Sequence, residues 1–162
     1  ALPENPKLDL LMDLIEEMPE GAKGVVFHDF IWSGAAIERR LVEHKIGCGR
    51  LWSGTKNPGE ILDGFNGDSE IRILLANNQS AAYGLNLQRA NYVFFYETPT
   101  SLIDRQQAER RCRRAGQKSD KVFIYDLITR NSVESRILEY MEAGKDLFAA
   151  IIDGKILKED LR

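Results

Sequence analysis

The stretch YVFFYETPTSLIDRQQAERRCRR, residues 92–114, sets the chain's two structural habits side by side. Tyr92 to Glu97 is a short aromatic and β-branched run, the composition of a buried strand. Ser101 to Arg114 reads as a helix. A strand that gives way to a helix within a few residues is the unit from which parallel sheets are built. The same alternation extends in both directions. NPKLDLLMDLIEEM predicts a helix with Asn5 as its cap, Pro6 in the first turn, and Leu8, Leu11, Leu14 and Ile15 on one face. GVVFH (24–28), CGRLW (48–52), IRILLA (71–76) and KVFIYDLI (121–128) read as further strands. SGAAIERRLVEHK, PGEILDGFN (58–66) and SVESRILEYMEAGKDLFAAII read as helices. The expected fold class is α/β, a mostly parallel sheet flanked by helices, with ligand-binding loops at the carboxyl ends of the strands.

The bulk numbers fit one compact domain. The chain has 162 residues, 43% hydrophobic and 29% charged, with a formal net charge of −3. No apolar run is long enough to span a membrane, so no membrane partner is expected. Cys48 and Cys112 are far apart, and with only His28 and His44 beside them they match no zinc spacing; no metal site and reduced thiols are expected. There is no internal repeat and no linker. The sequence opens without a methionine, as a fragment of a longer polypeptide would.

An acidic chain that places Arg110, Arg111, Arg113 and Arg114 almost side by side concentrates charge for a reason. At about 100° per residue, Gln107, Arg111 and Arg114 fall within roughly 60° of one another on the helix surface. Ala108, Cys112 and Ala115 form a face of small residues suited to packing on a sheet, and Gly116 can end the helix. A solvated basic face would look like this. So would a row of guanidinium groups directed at phosphates, since arginine is permanently charged, planar and a multiple donor. The arginines alone do not separate the two.

QAERRCRRAGQ (107–117) resembles the last motif of superfamily-two helicases, in the version found in Swi/Snf-type ATPases. Gln107, Ala108, Arg111, Arg114, Gly116 and Gln117 match it in register. NQSAAYGLNLQRANYVFFYE resembles the preceding motif, with Gly84, Asn86, Leu87, Ala90, Val93 and Tyr96 in place. GVVFHDF, RLWSGT with ILDGFNGD, and the segment from Ser132 to Gly154 resemble the remaining motifs in their proper order. The resemblance covers roughly residues 22 to 154. It implies a three-layer RecA-like domain, the single C-terminal lobe of a DNA-dependent ATPase, occupying 1–162 with its core at about 22–154.

Several site roles follow from the resemblance. Arg111 and Arg114 are expected as arginine fingers, with Gln107 beside them as a catalytic residue, and Gly84 and Asn86 as nucleotide-binding residues. Contacts to the DNA backbone are expected from three loops at strand carboxyl ends: His28, Asp29 and Phe30; Ser53, Gly54 and Thr55; and Asn77, Asn78 and Gln79. Each loop also has an ordinary reading as turn chemistry. His28 reads as a simple strand-end residue in preference to a contact, and Trp52, which could stack on a base, reads, following a strand, as core packing in preference. No Gly-x-x-x-x-Gly-Lys-Ser/Thr sequence and no Asp-Glu-x-His box occur in the chain. ATP and Mg²⁺ are therefore expected on an N-terminal lobe of the same polypeptide, and the lobe alone is expected not to turn over ATP.

The chain departs from the family pattern at Arg110, Arg113, Ala81, Ala82 and Asn77-Asn78. These departures suggest a divergent bacterial or phage member working in the cytoplasm; a eukaryotic member would be nuclear. The partner is expected to be DNA, in duplex form. The alternative function is a non-catalytic nucleic-acid-binding or protein-interaction module that keeps the fold.

Overall fold

Asn5 opens the first helix as expected, its side chain accepting from the Leu8 N–H at 3.1 Å. In the computed structural model, which describes residues 5–77, 86–113 and 121–144, helices and strands then alternate. They are α1 (Pro6–Glu16), β1 (Lys23–His28), α2 (Ile31–Glu43), β2 (Cys48–Leu51), α3 (Pro58–Asn66), β3 (Ile73–Asn77), β4 (Ala90–Phe95), α4 (Leu102–Cys112), β5 (Phe123–Asp126) and α5 (Val133–Glu142). The five strands form one sheet in the order β2-β3-β1-β4-β5, and every pairing is parallel.

Alternation along β1 divides the core between the two faces of the sheet. Val26 points to one side with Ile73, Leu75 and Phe94, where it meets Leu8, Leu11, Met12 and Ile15 of α1 and Ile37 and Leu41 of α2. Val25 and Phe27 point to the other side with Leu74, Val93 and Phe95, against Phe65 of α3 and Ala108 and Cys112 of α4. The result is three layers, helix on sheet on helix. Helix α1 is an integral part of the first core, so the packed unit starts by Pro6, ahead of the residue-22 boundary expected from the motifs. Each fully buried leucine or phenylalanine in these layers contributes roughly 1.5–3 kcal/mol.

Two cations are set into this apolar frame. The ammonium of Lys23 donates to the carbonyls of Phe65 (2.7 Å) and Gly67 (2.8 Å), which end α3. Burial lowers its pKa. Arg105 lies on the buried side of α4. Its Nη2 donates to Asp126 Oδ2 at 3.0 Å, its Nη1 to Asp126 Oδ1, and its Nε to Glu109 at 2.6 Å. The guanidinium also lies 3.8 Å from the centroid of the Phe95 ring. Burial opposes its charge, but the hydrogen bonds to Asp126 and Glu109 outweigh that, and the net effect raises its pKa. One side chain thus ties α4 to the ends of both β4 and β5. Replacing it strands the Asp126 carboxylate, so Arg105→Ala is expected to cost about 3 kcal/mol in urea denaturation, and Arg105→Lys to recover only part of that. A loss for Arg105→Ala below about 1 kcal/mol would show that the clamp carries little of the packing of α4.

Candidate nucleic-acid interface

Parallel pairing sends the carboxyl ends of all five strands to one edge. Neighbouring strands β1 and β4 lead into helices on opposite faces, α2 with the first core and α4 with the second. This is a topological switch point, where open α/β sheets leave a crevice. The loop after β1 occupies it, braced from both sides. The Asp29 N–H donates to Glu97 Oε2 at 2.8 Å, at the end of β4, and Asn77 Nδ2, at the end of β3, donates to the Asp29 carbonyl at 3.0 Å. Glu97 also accepts from the Ser33 hydroxyl in the first turn of α2. The cap residue of that helix, Phe30, makes no side-chain capping bond; the Glu97 carboxylate, two residues past β4, instead holds Asp29 just before it and the Ser33 hydroxyl. Nothing local in the sequence marks Glu97 for this work; only the register of β4 beside β1 does.

The ring of His28 is buried, 1% exposed, with Nδ1 donating to the Phe30 carbonyl at 3.1 Å. It packs where α2 has Gly34, and a Cβ there would come within 2.6 Å of the ring. The imidazole therefore presents no surface to a strand laid over the loop, in line with the strand-end reading. Burial and, more weakly, the Arg50 charge lower its pKa to about 4, against the bond to Phe30. Phe30 is 53% exposed and stacks on Trp32, itself 65% exposed, at 5.6 Å between ring centroids.

In the loop after β2, Ser53 and Gly54 are exposed. Thr55 Oγ1 accepts from the Trp52 N–H at 2.9 Å and donates to the Arg50 carbonyl at 3.3 Å, so its hydroxyl shapes the turn. Trp52 is 42% exposed rather than in the core. A Cβ on Gly54 would meet the benzo edge of that indole at 2.7 Å, so the glycine lets the ring lie over the turn. Asn86 is exposed; its side-chain oxygen accepts from the Gln88 N–H at 3.3 Å, and its carbonyl accepts from Asn66 at 2.8 Å.

Along α4 the residues are sorted as the helical projection requires. Arg105, Ala108 and Cys112 are buried, Gln107 and Arg110 are exposed, and Arg111 is half-buried. Burial, with Glu109 nearby, pushes the Cys112 thiol up to about 12, which makes it a packing group and not a nucleophile. Helix α4 runs back from the carboxyl edge, so Arg111 sits about 9 Å along the axis from Arg105. The guanidinium of Arg111 and the amide of Gln107, one turn apart, make a donor set that suits anionic oxygens. Among the described residues no group of three His, Cys, Asp or Glu could hold a metal ion, and no helix is long and apolar enough to cross a membrane. Gly84, Asn78, Gln79, Arg114, Ala115, Gly116 and Gln117 lie outside the described residues.

The buried imidazole has a consequence for stability. Its folded pKa, about 4, lies below the ordinary 6.5, so the unfolded chain takes up a proton first as pH falls. The contribution is complete above the ordinary value and is lost progressively below it, by about 2 kcal/mol on reaching about pH 5. Urea unfolding at the two pH values, in the wild type and in His28→Asn, should show a steeper acid loss in the wild type by about that amount. Parallel losses in the two proteins would place the titrating group elsewhere.

Residues 6–116, well over half of the chain, match the family described as helicase conserved C-terminal domain. ATP-dependent helicase fft2 of Schizosaccharomyces pombe is 30% identical over 83% of the chain, and DNA repair protein RAD5 of Yarrowia lipolytica is 32% identical over 86%. The chain spans only 11% and 14% of the length of these two relatives. The C-terminal part of the Fun30 ATPase domain superposes with a TM-score of 0.78 at 27% identity, covering 84% of this chain and 45% of that one. The Pyrococcus furiosus Hef helicase domain, at a TM-score of 0.67, 24% identity, and coverage of 83% of this chain and 27% of that one, shares the fold. The sequence relatives named are fungal and lend no support to a bacterial or phage source. With its parallel sheet between two helical layers, the chain belongs to the helicase conserved C-terminal domain family, as a RecA-like lobe of the Swi/Snf type.

Proposed function

We propose that the chain is the second motor lobe of an ATP-dependent DNA translocase. Arg111 and Arg114 act as arginine fingers on ATP held by an N-terminal RecA-like lobe of the same polypeptide, with Gln107 beside them. The observation that carries this reading is the sorting of α4. Arg105 fixes the helix to the sheet, and Gln107, exposed, and Arg111, half-buried, lie one turn apart outside the buried face formed by Arg105, Ala108 and Cys112. Guanidinium groups so held meet the spreading charge of phosphoryl transfer without reorganising. Gly84 and Asn86 line the same nucleotide, and Mg²⁺ with the phosphate cradle belongs to the other lobe. That division of parts leaves this lobe inactive by itself.

The loops at the carboxyl edge grip the DNA backbone through Asp29, Phe30, Ser53, Gly54, Thr55, Asn77, Asn78 and Gln79, while His28 supports the first loop from within. Polar groups and backbone N–H donors there hold phosphates without reading sequence, and duplex DNA is the substrate the family resemblance favours. The eukaryotic sources of the named relatives support a nuclear setting.

ATP hydrolysis by the full-length protein, with and without DNA, tests the assignment. Arg111→Ala and Arg114→Ala should each lower DNA-stimulated turnover on the order of 10³-fold while leaving DNA binding intact. Arg111→Lys should not restore it, because a single ammonium lacks the planar fork. Turnover that survives both alanine substitutions would contradict the arginine-finger role and favour a binding module.

A further inference from the structure

Trp32 and Trp52 are the chain's two tryptophans, and both stand exposed at the edge where the strands end, together with Phe30. Soluble domains seldom leave such rings in water without a use for them. Phe30 and Trp32 are stacked on each other, 16° from parallel, and each remains more than half exposed, so the pair presents a flat aromatic surface. Arg50 joins them to Trp52. Its Nη2 donates to the Ile31 carbonyl at 2.8 Å, and its guanidinium carbon lies 5.6 Å from the Trp52 ring centroid. A cation, two separate aromatic surfaces and the polar groups of Ser53 and Asn77 thus share one edge of the sheet.

We propose that this aromatic cluster is a stacking platform for unpaired nucleobases. The inference rests on the reading of this edge as a nucleic-acid interface and adds to it a chemical preference for single-stranded segments. Every base has a π-face, so stacking on Phe30, Trp32 and Trp52 needs no sequence readout. Bases inside a duplex are already stacked on one another and offer no face to rings approaching from the backbone side. The cluster therefore gains contact only where a strand is frayed, displaced or single. A polymer that alternates flat rings with anionic phosphates suits the mixture found here. Arg50, largely buried and paired with Glu38 and the Ile31 carbonyl, holds the two aromatic surfaces in place between them. The nearest carboxylates do not repel such a strand freely: Glu38 is engaged by Arg50 at 3.2 Å, and Glu97 by Ser33 and the Asp29 N–H. Phosphates held by the polar groups of the edge and bases laid on the rings would place one strand along the carboxyl ends of β2, β3 and β1.

Fluorescence anisotropy on the full-length protein tests this with two probes, labelled oligothymidine and a blunt duplex of equal length. The proteins compared are the wild type, Trp32→Ala/Trp52→Ala, and the ring-preserving Trp32→Phe/Trp52→Phe. Loss of stacking on the rings should weaken oligothymidine binding by about tenfold or more in the alanine variant, and the phenylalanine variant should recover most of it. Duplex binding should change by less than about threefold. The rings are exposed, and circular dichroism of the alanine variant checks that its fold is kept. Oligothymidine binding unchanged in the alanine variant, or lost equally for both probes, would overturn the stacking platform and make the rings a surface for protein contact. Wild-type protein that binds neither probe would instead overturn the nucleic-acid reading of the whole edge.

Discussion

Parallel strand pairing is the constraint from which the rest of this lobe follows. It sends every strand's carboxyl end to one edge, and it requires a helix to carry the chain back between neighbours. The strand order then decides which helices lie on which face. Adjacent β1 and β4 lead to opposite faces, so their ends part and leave the crevice where the first loop sits. That loop would be a weak point in an otherwise hydrogen-bonded frame. Glu97 and Asn77 secure it from the strands on either side, and Glu97 reaches further to the first turn of α2. Loop shape is thereby tied to the packing of three strands and one helix.

The arginines of α4 divide their labour by helical position. Arg105 spends its charge inside, held by Asp126 and Glu109 over the Phe95 ring. Arg110 and Arg111 lie away from that face, one exposed and one half-buried. A guanidinium that is desolvated and paired with two carboxylates positions the helix. The same residue type thus stands in two settings within two turns of one helix.

Much of this was legible in the sequence. Every strand and helix described was expected, and α3 was expected at Pro58–Asn66, the range it occupies. Periodicity suffices for that, because apolar patterning and local caps are encoded within a few residues. The small-residue face at Ala108 and Cys112 also followed from spacing. What could not be read are the pairings made by tertiary register. Arg105 finds Asp126 across 21 positions, and Asp29 finds Glu97 across 68. Helix α2 starts at Ile31 and not at Ser33, and its cap residue, Phe30, carries no side-chain capping group that would mark the start. Trp52 was expected in the core on residue type; the turn closed by Thr55 carries it outward instead. Trp32 had no motif to announce it, and only its exposure beside Phe30 brings it to notice.

The central claim is that this lobe completes a nucleotide site whose phosphate cradle and metal lie elsewhere in the polypeptide. The most direct measurement is ATP turnover by the 162-residue chain alone beside turnover by the full-length protein, both in the presence of DNA. The account predicts no turnover above background from the chain and DNA-stimulated turnover from the full-length protein. Hydrolysis by the chain alone would mean that it holds a complete site of its own, and the division of parts between two lobes would be wrong.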